Sequence, residues 1–585
     1  MDKQLIRTVL ITMAIVFAYQ YFFAQPQLEA ERAARAKAEA QLRDSAPVVP
    51  SGPAAPLPPA GAGTDSRAAA PAETAPLAVP AATRTLATPE QTIAWDNRHG
   101  GVITGVRLHS FVDHTRTDSL QLVPAAAASS ALRPAFGPVP VAVNAAPLPV
   151  AGETAIVAAI GGQPVAVTVE LTAVQPYLYR VVYRLRNAGT VPVALNAVPF
   201  SSEAGGIRGS FSVSWGPALG DSLPTLHGPD ALEIMYCKNN SIETIKPGSS
   251  GSWFSAGGAG EGETKEFSGG DLQWAALMDR YFIAALVPDS PAAGLKAYLH
   301  SNQLTWEMIF PELLFAPGEE KAVPAQLYIG PKEHARLAAM NVKLEETLNF
   351  GWFSWVGYIL LGIMKWFYAV IPNFGLAIIL LTLLVRICIY PLTYTSYQSM
   401  QRMQALQPKL QDIRAKYPNS PEKQQQEIMK MYQEEKVNPL GGCLPVLLQL
   451  PIFIALFQML QYSIELRQAP FLWWITDLSQ PDTVAFLPHW LPFFGGAALN
   501  ILPFFMAATM FIQQKMSMTG LNPQQEKIML FMPVMLLFML YSFPSGLMLY
   551  WSLSNLVGVV QQKYLTRGKK PALPPRPAAG DAKKK

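Results

Sequence analysis

The chain predicts a polytopic α-helical membrane protein that carries a large all-β domain, and three observations lead there. Half of its 585 residues are hydrophobic and only 15% are charged, the balance of a membrane protein with a soluble part. Residues 89–340 alternate apolar and polar side chains in short runs separated by Gly, Pro, Asn and Asp, the period-2 pattern of strands. Beyond residue 340 long apolar segments take over, almost to the end of the chain. A chain of this length exceeds a single core and holds two or three units. The formal net charge of +4 identifies no nucleic-acid partner by itself, so the location of the basic residues matters more than their sum.

Residues 1–24 carry Lys3 and Arg7 ahead of the apolar stretch Val9 to Ala24. Phe22-Phe23-Ala24 is a poor small-residue cleavage site, so an uncleaved signal-anchor helix with a cytoplasmic N-terminus is expected, a cleaved signal peptide being the alternative. Residues 25–88 divide into an Ala/Glu/Arg/Lys-rich run from Glu29 to Asp44, expected as a short solvated helix, and a Pro/Ala-rich linker with too few large apolar residues to form a core. Residues 89–340 then predict a β-sandwich domain outside the cytoplasm, with Val165 to Leu171 and Leu178 to Leu185 as its clearest alternating runs. Gly257 to Gly262 lacks Walker spacing and reads as a loop. His99, His109, His114, His227 and His300 have no ligand spacing, and Cys237, Cys388 and Cys443 form neither a disulfide framework nor a zinc site. Neither a cofactor nor a metal is expected.

In the membrane half, Trp352 to Ile371 is long enough to span. The loop 393–440 that follows the next apolar segment carries seven Lys/Arg, which the positive-inside rule places in the cytoplasm. Residues 341–373 are therefore expected as an interfacial helix along the outer face, and 374–392 as the span that enters the cytoplasm. After the loop come core spans within 441–562: Gly442–Tyr462, roughly Val484–Ile512, Ile528–Tyr541 and Gly546–Gln562. The tail 563–585 carries eight Lys/Arg. With the anchor this makes six spans and two cytoplasmic termini.

Arg386 stands inside the apolar run Phe374 to Leu392. Insertion scales assign an arginine at the centre of a membrane helix a cost of roughly 2.5 to 3.5 kcal/mol. No acidic residue in the spans offers itself as partner, which favours a hydrated polar cavity over simple snorkelling toward the interface. Thr382, Gln449, Tyr550, Ser552, Ser554 and Asn555 are the other polar residues of these segments, and each serves equally well as interhelical glue. In the cytoplasmic loop Met403, Leu406, Leu410, Ile413 and Tyr417 recur at three- and four-residue spacing. After the break Pro418-Asn419-Ser420-Pro421 the stripe resumes at Ile428, Met431 and Tyr432, as in a helical hairpin. Nine of the 21 methionines fall between Met506 and Met548, either apolar filler or an adaptable contact for varied hydrophobic segments. The membrane half has no HExxH, no GxSxG and no paired intramembrane aspartates, so no enzyme is expected. A small-solute or anion transporter using Arg386 is the competing reading, though internal repeats of the transporter kind are not visible. A carbohydrate-binding β domain on a membrane anchor is a third.

Four segments carry a resemblance: Val385 to Thr393, Asn438 to Pro445, Glu465 to Pro470, and Phe543 to Leu547. In sequence and order they resemble the YidC/Oxa/Alb membrane protein insertases, and the anchor plus β domain resembles the Gram-negative form of that family. The resemblance implies a five-helix core around a hydrophilic groove, a periplasmic β-supersandwich and a cytoplasmic hairpin. It implies that Arg386, Thr382, Gln449, Tyr550 and Trp551 line or flank the groove. It also implies an inner-membrane insertase and chaperone acting on nascent membrane proteins, alone or with the Sec translocon. Ribosomes, the signal-recognition-particle receptor and membrane lipids are implied as further partners. Sequence-specific nucleic-acid binding is not.

Overall fold

The computed structural model describes residues 83–96, 102–112, 118–123, 133–137, 156–160, 163–195, 208–216, 219, 231–246, 264–300, 303–417, 420–435, 444–487, 498–517 and 523–566. The expected anchor, most of the linker, Gly257 to Gly262, Asn438 to Cys443 and the tail beyond Thr566 lie outside the described residues. The chain forms two compact units, Met1–Pro331 and Lys332–Lys585.

The first unit is β throughout its described residues. Thr83–Ala87, Gln91–Asp96, Val102–Val112 and Ser119–Val123 form a four-stranded antiparallel sheet. A 14-stranded sheet takes the remainder. Strand Leu178–Asn187 illustrates why these residues make strands. Tyr179, Val181, Tyr183, Leu185 and Asn187 turn inward, while the residues between them stay at least partly exposed, the alternation that a pleated, half-buried strand demands. It pairs antiparallel with Gln163–Gln175 and Glu320–Pro331. Phe282–Pro288 is paired along both edges, with Thr264–Met278 and Glu320–Pro331, and its burial at every position means that side chains on both its faces are covered. The smaller sheet meets the larger where Phe111 packs edge-on against Phe282 at 5.5 Å and Gln91 Nε2 donates to the Tyr179 hydroxyl.

The second unit is helical: α1 (His334–Ala339), α2 (Ser354–Val370), α3 (Phe374–Ala405), α4 (Gln407–Lys416), α5 (Pro421–Glu434), α6 (Leu444–Tyr462), α7 (Leu502–Ser517), α8 (Pro523–Met539) and α9 (Ser545–Thr566). Helix α9 packs against α7, α3 and α6, and α2 packs against α3 and α6. Among the described residues one helix, Phe374–Met403, is both long and apolar enough to cross a membrane. Ser354–Val370 and Met529–Met539 are shorter apolar helices. Helix α2 buries Gly357, Leu360, Leu361 and Met364, while Trp355, Ile359, Trp366 and Val370 remain exposed.

Two expected boundaries change. The span expected over Val484–Ile512 is not one helix. Thr483–Phe486 and Ala498–Asn500 pair as antiparallel strands, and α7 begins only at Leu502. The start is set locally, because Asp482 Oδ2 accepts the Ile501 and Leu502 backbone N–H groups at 3.0 and 2.8 Å, supplying acceptors for donors that a helix start leaves unpaired. The Arg386 helix, in turn, runs past Leu392 to Ala405 with Pro391 inside it. A proline removes one helical hydrogen bond without always ending a helix. Met403 consequently belongs to the last turn of α3 rather than to the hairpin itself.

The hairpin follows as α4 and α5. Pro408 lies in the first turn of α4 and Pro421 opens α5, positions where the missing N–H costs nothing. Leu406, Leu410 and Met431 are buried together, with Met403, Ile413, Ile428 and Tyr432 packed around them. Tyr417 is outside that cluster, with the Lys416 ammonium 5.5 Å from its ring.

Candidate functional site

The polar residues of the helical unit converge on Arg386, which is only 9% exposed in the middle of α3. Its Nε and Nη2 both donate to Ser554 Oγ of α9, at 3.0 and 2.6 Å. Gln449 of α6 donates to the same oxygen at 3.4 Å. One serine hydroxyl thus gathers donors from two other helices. No carboxylate pairs with Arg386 among the described residues; besides Ser554, the Tyr550 and Tyr397 hydroxyls are polar groups near it. Nη1 bonds to no described protein atom and lies beside Gly558, where an added Cβ would be 3.7 Å away.

The spacing on α9 explains the convergence. Tyr550, Ser554 and Gly558 recur every four residues and so share one face. Tyr397 donates to the Gly558 carbonyl at 3.4 Å, and an added Cβ at Gly558 would stand 2.9 Å from Gln513 Nε2. A side chain at 558 would therefore push Gln513 aside. Tyr550 is buried with Arg386, Gln449 and Ser554 as neighbours, yet its hydroxyl meets no partner in hydrogen-bonding geometry among the described residues. The Ser552 hydroxyl and both amide atoms of Gln514 are likewise buried and without a partner among the described residues. An adjoining face of α9 turns to α7, where Asn555 donates to Thr509 at 3.5 Å and Gln562 to the Met516 carbonyl at 3.0 Å.

The aromatic wall comes from α6. Phe453 packs edge-on against Trp551 at 4.7 Å and stacks at 6.4 Å on Tyr550. Of the five residues singled out in sequence, Arg386, Gln449, Tyr550 and Trp551 meet here. Thr382 lies one turn from Arg386, fully buried, but its hydroxyl donates to the Ile378 carbonyl of its own helix at 2.6 Å. Ser554 is the central acceptor, a role that inspection of the sequence did not single out. Tyr397, Gln513 and Gly558 were missed; the four-residue repeat through Tyr550 points to Gly558 and the Gln513-Gln514 pair in an apolar helix to Gln513, while no local pattern marks Tyr397. Among the described residues no group of three or more His, Cys, Asp or Glu is placed to hold a metal ion.

The described chain is thus a β-rich unit followed by a helical unit in which an arginine lies buried among polar side chains, on the one helix long and apolar enough to cross a membrane among the described residues. Residues 366–572 match the 60Kd inner membrane protein family, and residues 251–362 match the YidC periplasmic domain. Over these residues the chain is similar to the YidC family of inner-membrane proteins. The membrane protein insertase YidC of Geobacter metallireducens is 41% identical over 296 residues, 50% of this chain and 52% of that one. That of Geobacter sulfurreducens is 42% identical over 296 residues, 50% and 53% of the two chains. The chain thus spans about half the length of the curated relatives it matches. A crystal structure of an active YidC insertase with its first transmembrane domain resolved superposes on 82% of this chain and 91% of that one. Identity is 18% and the TM-score 0.33, a fit too loose to transfer any residue.

Proposed function

We propose that this protein is a membrane protein insertase and chaperone that moves hydrophobic segments of nascent proteins into the inner membrane. The observation that carries the reading is Arg386, a buried cation with no carboxylate partner among the described residues, held by Ser554 inside an apolar helical unit. Every lone polar group in hydrocarbon is costly, and a shortened polar path through the bilayer lowers the cost of moving hydrophilic residues across. Arg386 attracts and hydrates the polar part of an incoming segment from the cytoplasmic side. Gln449 and Tyr550 contribute further polar groups, Trp551 and Phe453 an apolar wall along which the hydrophobic part passes into lipid, and Thr382 flanks the site one turn away. The work is binding and partition, with no covalent chemistry and no nucleotide.

In this reading the chain crosses the inner membrane six times with both termini cytoplasmic, and the β unit is a periplasmic supersandwich. Helix α2 lies along the outer interface, the buried leucines toward the bundle and the exposed tryptophans toward lipid. The α4–α5 hairpin, with its core at Leu406, Leu410 and Met431, is the cytoplasmic station at which ribosome-borne chains and their targeting receptor arrive. The Sec translocon is the partner for larger clients.

Purified protein in liposomes, without ATP, inserts a small single-span client. Arg386→Ala impairs insertion more than it lowers stability, and Arg386→Lys is tolerated if charge alone matters. Saturable uptake of a small anion together with no insertion of any client would replace this reading with that of a transporter.

A further inference from the structure

The segment between α6 and α7 carries an exposed tryptophan that is held in place. Phe471 N–H donates to the Ile475 carbonyl at 2.9 Å, and Ile475 N–H to the Leu472 carbonyl at 3.1 Å, so residues 471–475 form a closed tight turn. Behind it Asp477 Oδ1 accepts from Gln468 N–H at 3.0 Å and from Ser479 N–H and hydroxyl at 2.8 and 2.7 Å. The turn is also wedged onto α3: an added Cβ on Gly375 would come within 2.0 Å of the Phe471 ring, and Asn373 donates to the Phe471 carbonyl at 3.4 Å. Trp473 at the tip is 86% exposed, with a backbone φ of 53°. That is the left-handed region, which bulky side chains rarely adopt. Its ring stacks at 5.8 Å on Trp474, whose indole N–H donates to Asp482 at 3.2 Å.

Strain and exposure of the largest apolar side chain both disfavour this arrangement in water, and structures keep such features where the surroundings use them. The position says which surroundings. The turn sits on the first residues of α3, the helix long and apolar enough to cross a bilayer, and hence at the level of a bilayer boundary. Val370 and Ile371, joining α2 to α3 at the same end, are exposed, as is Leu472 beside Trp473. We infer that Trp473 and Leu472, with Val370 and Ile371, form an anchor that inserts into the outer headgroup region of the lipid bilayer. The partner is the lipid interface, where an indole buries its ring and keeps its N–H wet. This rests on the reading of α3 as a span and of α2 as interfacial, and extends their lipid contact to a segment outside every helix.

The test uses the full chain in phosphatidylcholine nanodiscs, with Cys237, Cys388 and Cys443 replaced by Ser and an NBD fluorophore on Leu472→Cys. Lipid spin-labelled near the headgroup quenches this probe. Iodide quenches it roughly threefold less than a probe on Lys423→Cys of the hairpin, as expected for a group sheltered at the interface. Adding Trp473→Ser raises iodide quenching toward the Lys423 level. Iodide quenching equal to that at Lys423 before Trp473 is changed, or protection from both iodide and spin-labelled lipid, overturns the anchor. A probe on Ile387→Cys, an exposed position of α3, separates the two levels of inference. Quenching there by a spin label deep in the acyl chains upholds the span whatever Leu472 does, and its absence removes the span and the anchor together.

Discussion

Arg386 and Ser554, 168 positions apart in sequence, share a forked hydrogen bond: two guanidinium nitrogens of one helix donate to one hydroxyl oxygen of another. A hydroxyl oxygen has two acceptor sites, which the two guanidinium nitrogens occupy at 3.0 and 2.6 Å; Gln449 Nε2 at 3.4 Å is the longer, third donor, and Arg386 still carries donors of its own. The bond orients the guanidinium without neutralising it. A carboxylate in the same place would do both, and would remove the charge that the proposed mechanism uses.

Ser554→Ala should therefore uncouple orientation from charge. A hydrogen bond to a charged group contributes about 1.5–3 kcal/mol, so the variant lowers the unfolding midpoint in lipid–detergent micelles. Ser554→Thr, which keeps a hydroxyl, recovers most of the loss. Because the cation is retained, client insertion falls less than with Arg386→Ala. An unfolding midpoint identical to that of the unsubstituted protein would show that the fork carries no net energy.

The α4–α5 hairpin has a small core, so one residue decides whether it stays closed. Leu410 is almost fully buried against Leu406 and Met431, and truncating a buried leucine costs about 2–5 kcal/mol. Leu410→Ala should open α4 and α5 and leave the other helices folded. Hydrogen exchange would rise at 407–434 and stay unchanged in α9. Protection that persists at 407–434 would mean that the pair is held by something other than this cluster, for instance the Lys409–Glu435 ion pair across it.

How far the molecule was legible in its sequence follows from the range of each signal. The hairpin was legible because the spacing of Met403, Leu406, Leu410 and Ile413 is a local, three-to-four-residue pattern. Arg386 was legible because a charge in an apolar run needs no partner to be conspicuous. Ser554 was not, since a serine in an apolar helix looks the same whether it bonds its own backbone, as Thr382 does, or an arginine on another helix. Val484 to Ile512 was misread for the opposite reason. A hydropathy window registers apolar content, whereas the start of α7 is fixed by Asp482, which no apolar count includes.

The β unit has an alkaline limit. Tyr183 is fully buried and its hydroxyl has no hydrogen-bond partner among the described residues; burial pushes its pKa far above the ordinary value of 10.0. Tyr236 moves the same way, through burial first and then its hydrogen bond to Glu243. An unfolded tyrosine loses its proton near pH 10, while these two keep theirs when folded. Their contribution is thus complete below pH 10 and declines above it, at about 1.4 kcal/mol per pH unit for each group. Tyr183→Phe should leave stability equal or higher at pH 7, because an unsatisfied buried hydroxyl is removed, and should flatten the loss between pH 10 and 12. A slope unchanged by the substitution would place the alkaline sensitivity elsewhere.

Asp482 joins three pieces of the helical unit through one oxygen. Its Oδ2 accepts the Trp474 indole at 3.2 Å and the Ile501 and Leu502 N–H groups at 3.0 and 2.8 Å, and the residue is almost completely buried. Asp482→Ala removes the acceptor for all three donors. Losing a helix cap alone costs about 0.5–2 kcal/mol, and each donor left buried and unsatisfied adds to that. Asp482→Asn keeps a carbonyl oxygen in the same place and should retain much of the capping with less of the charge. The expected order of unfolding midpoints is Asp, then Asn, then Ala. Hydrogen exchange should rise first in the opening turn of α7, while the other end of that helix, tied to Gln562 through the Met516 carbonyl, stays protected. Exchange that rises uniformly along α7 would instead make Asp482 a global support and not a local start signal.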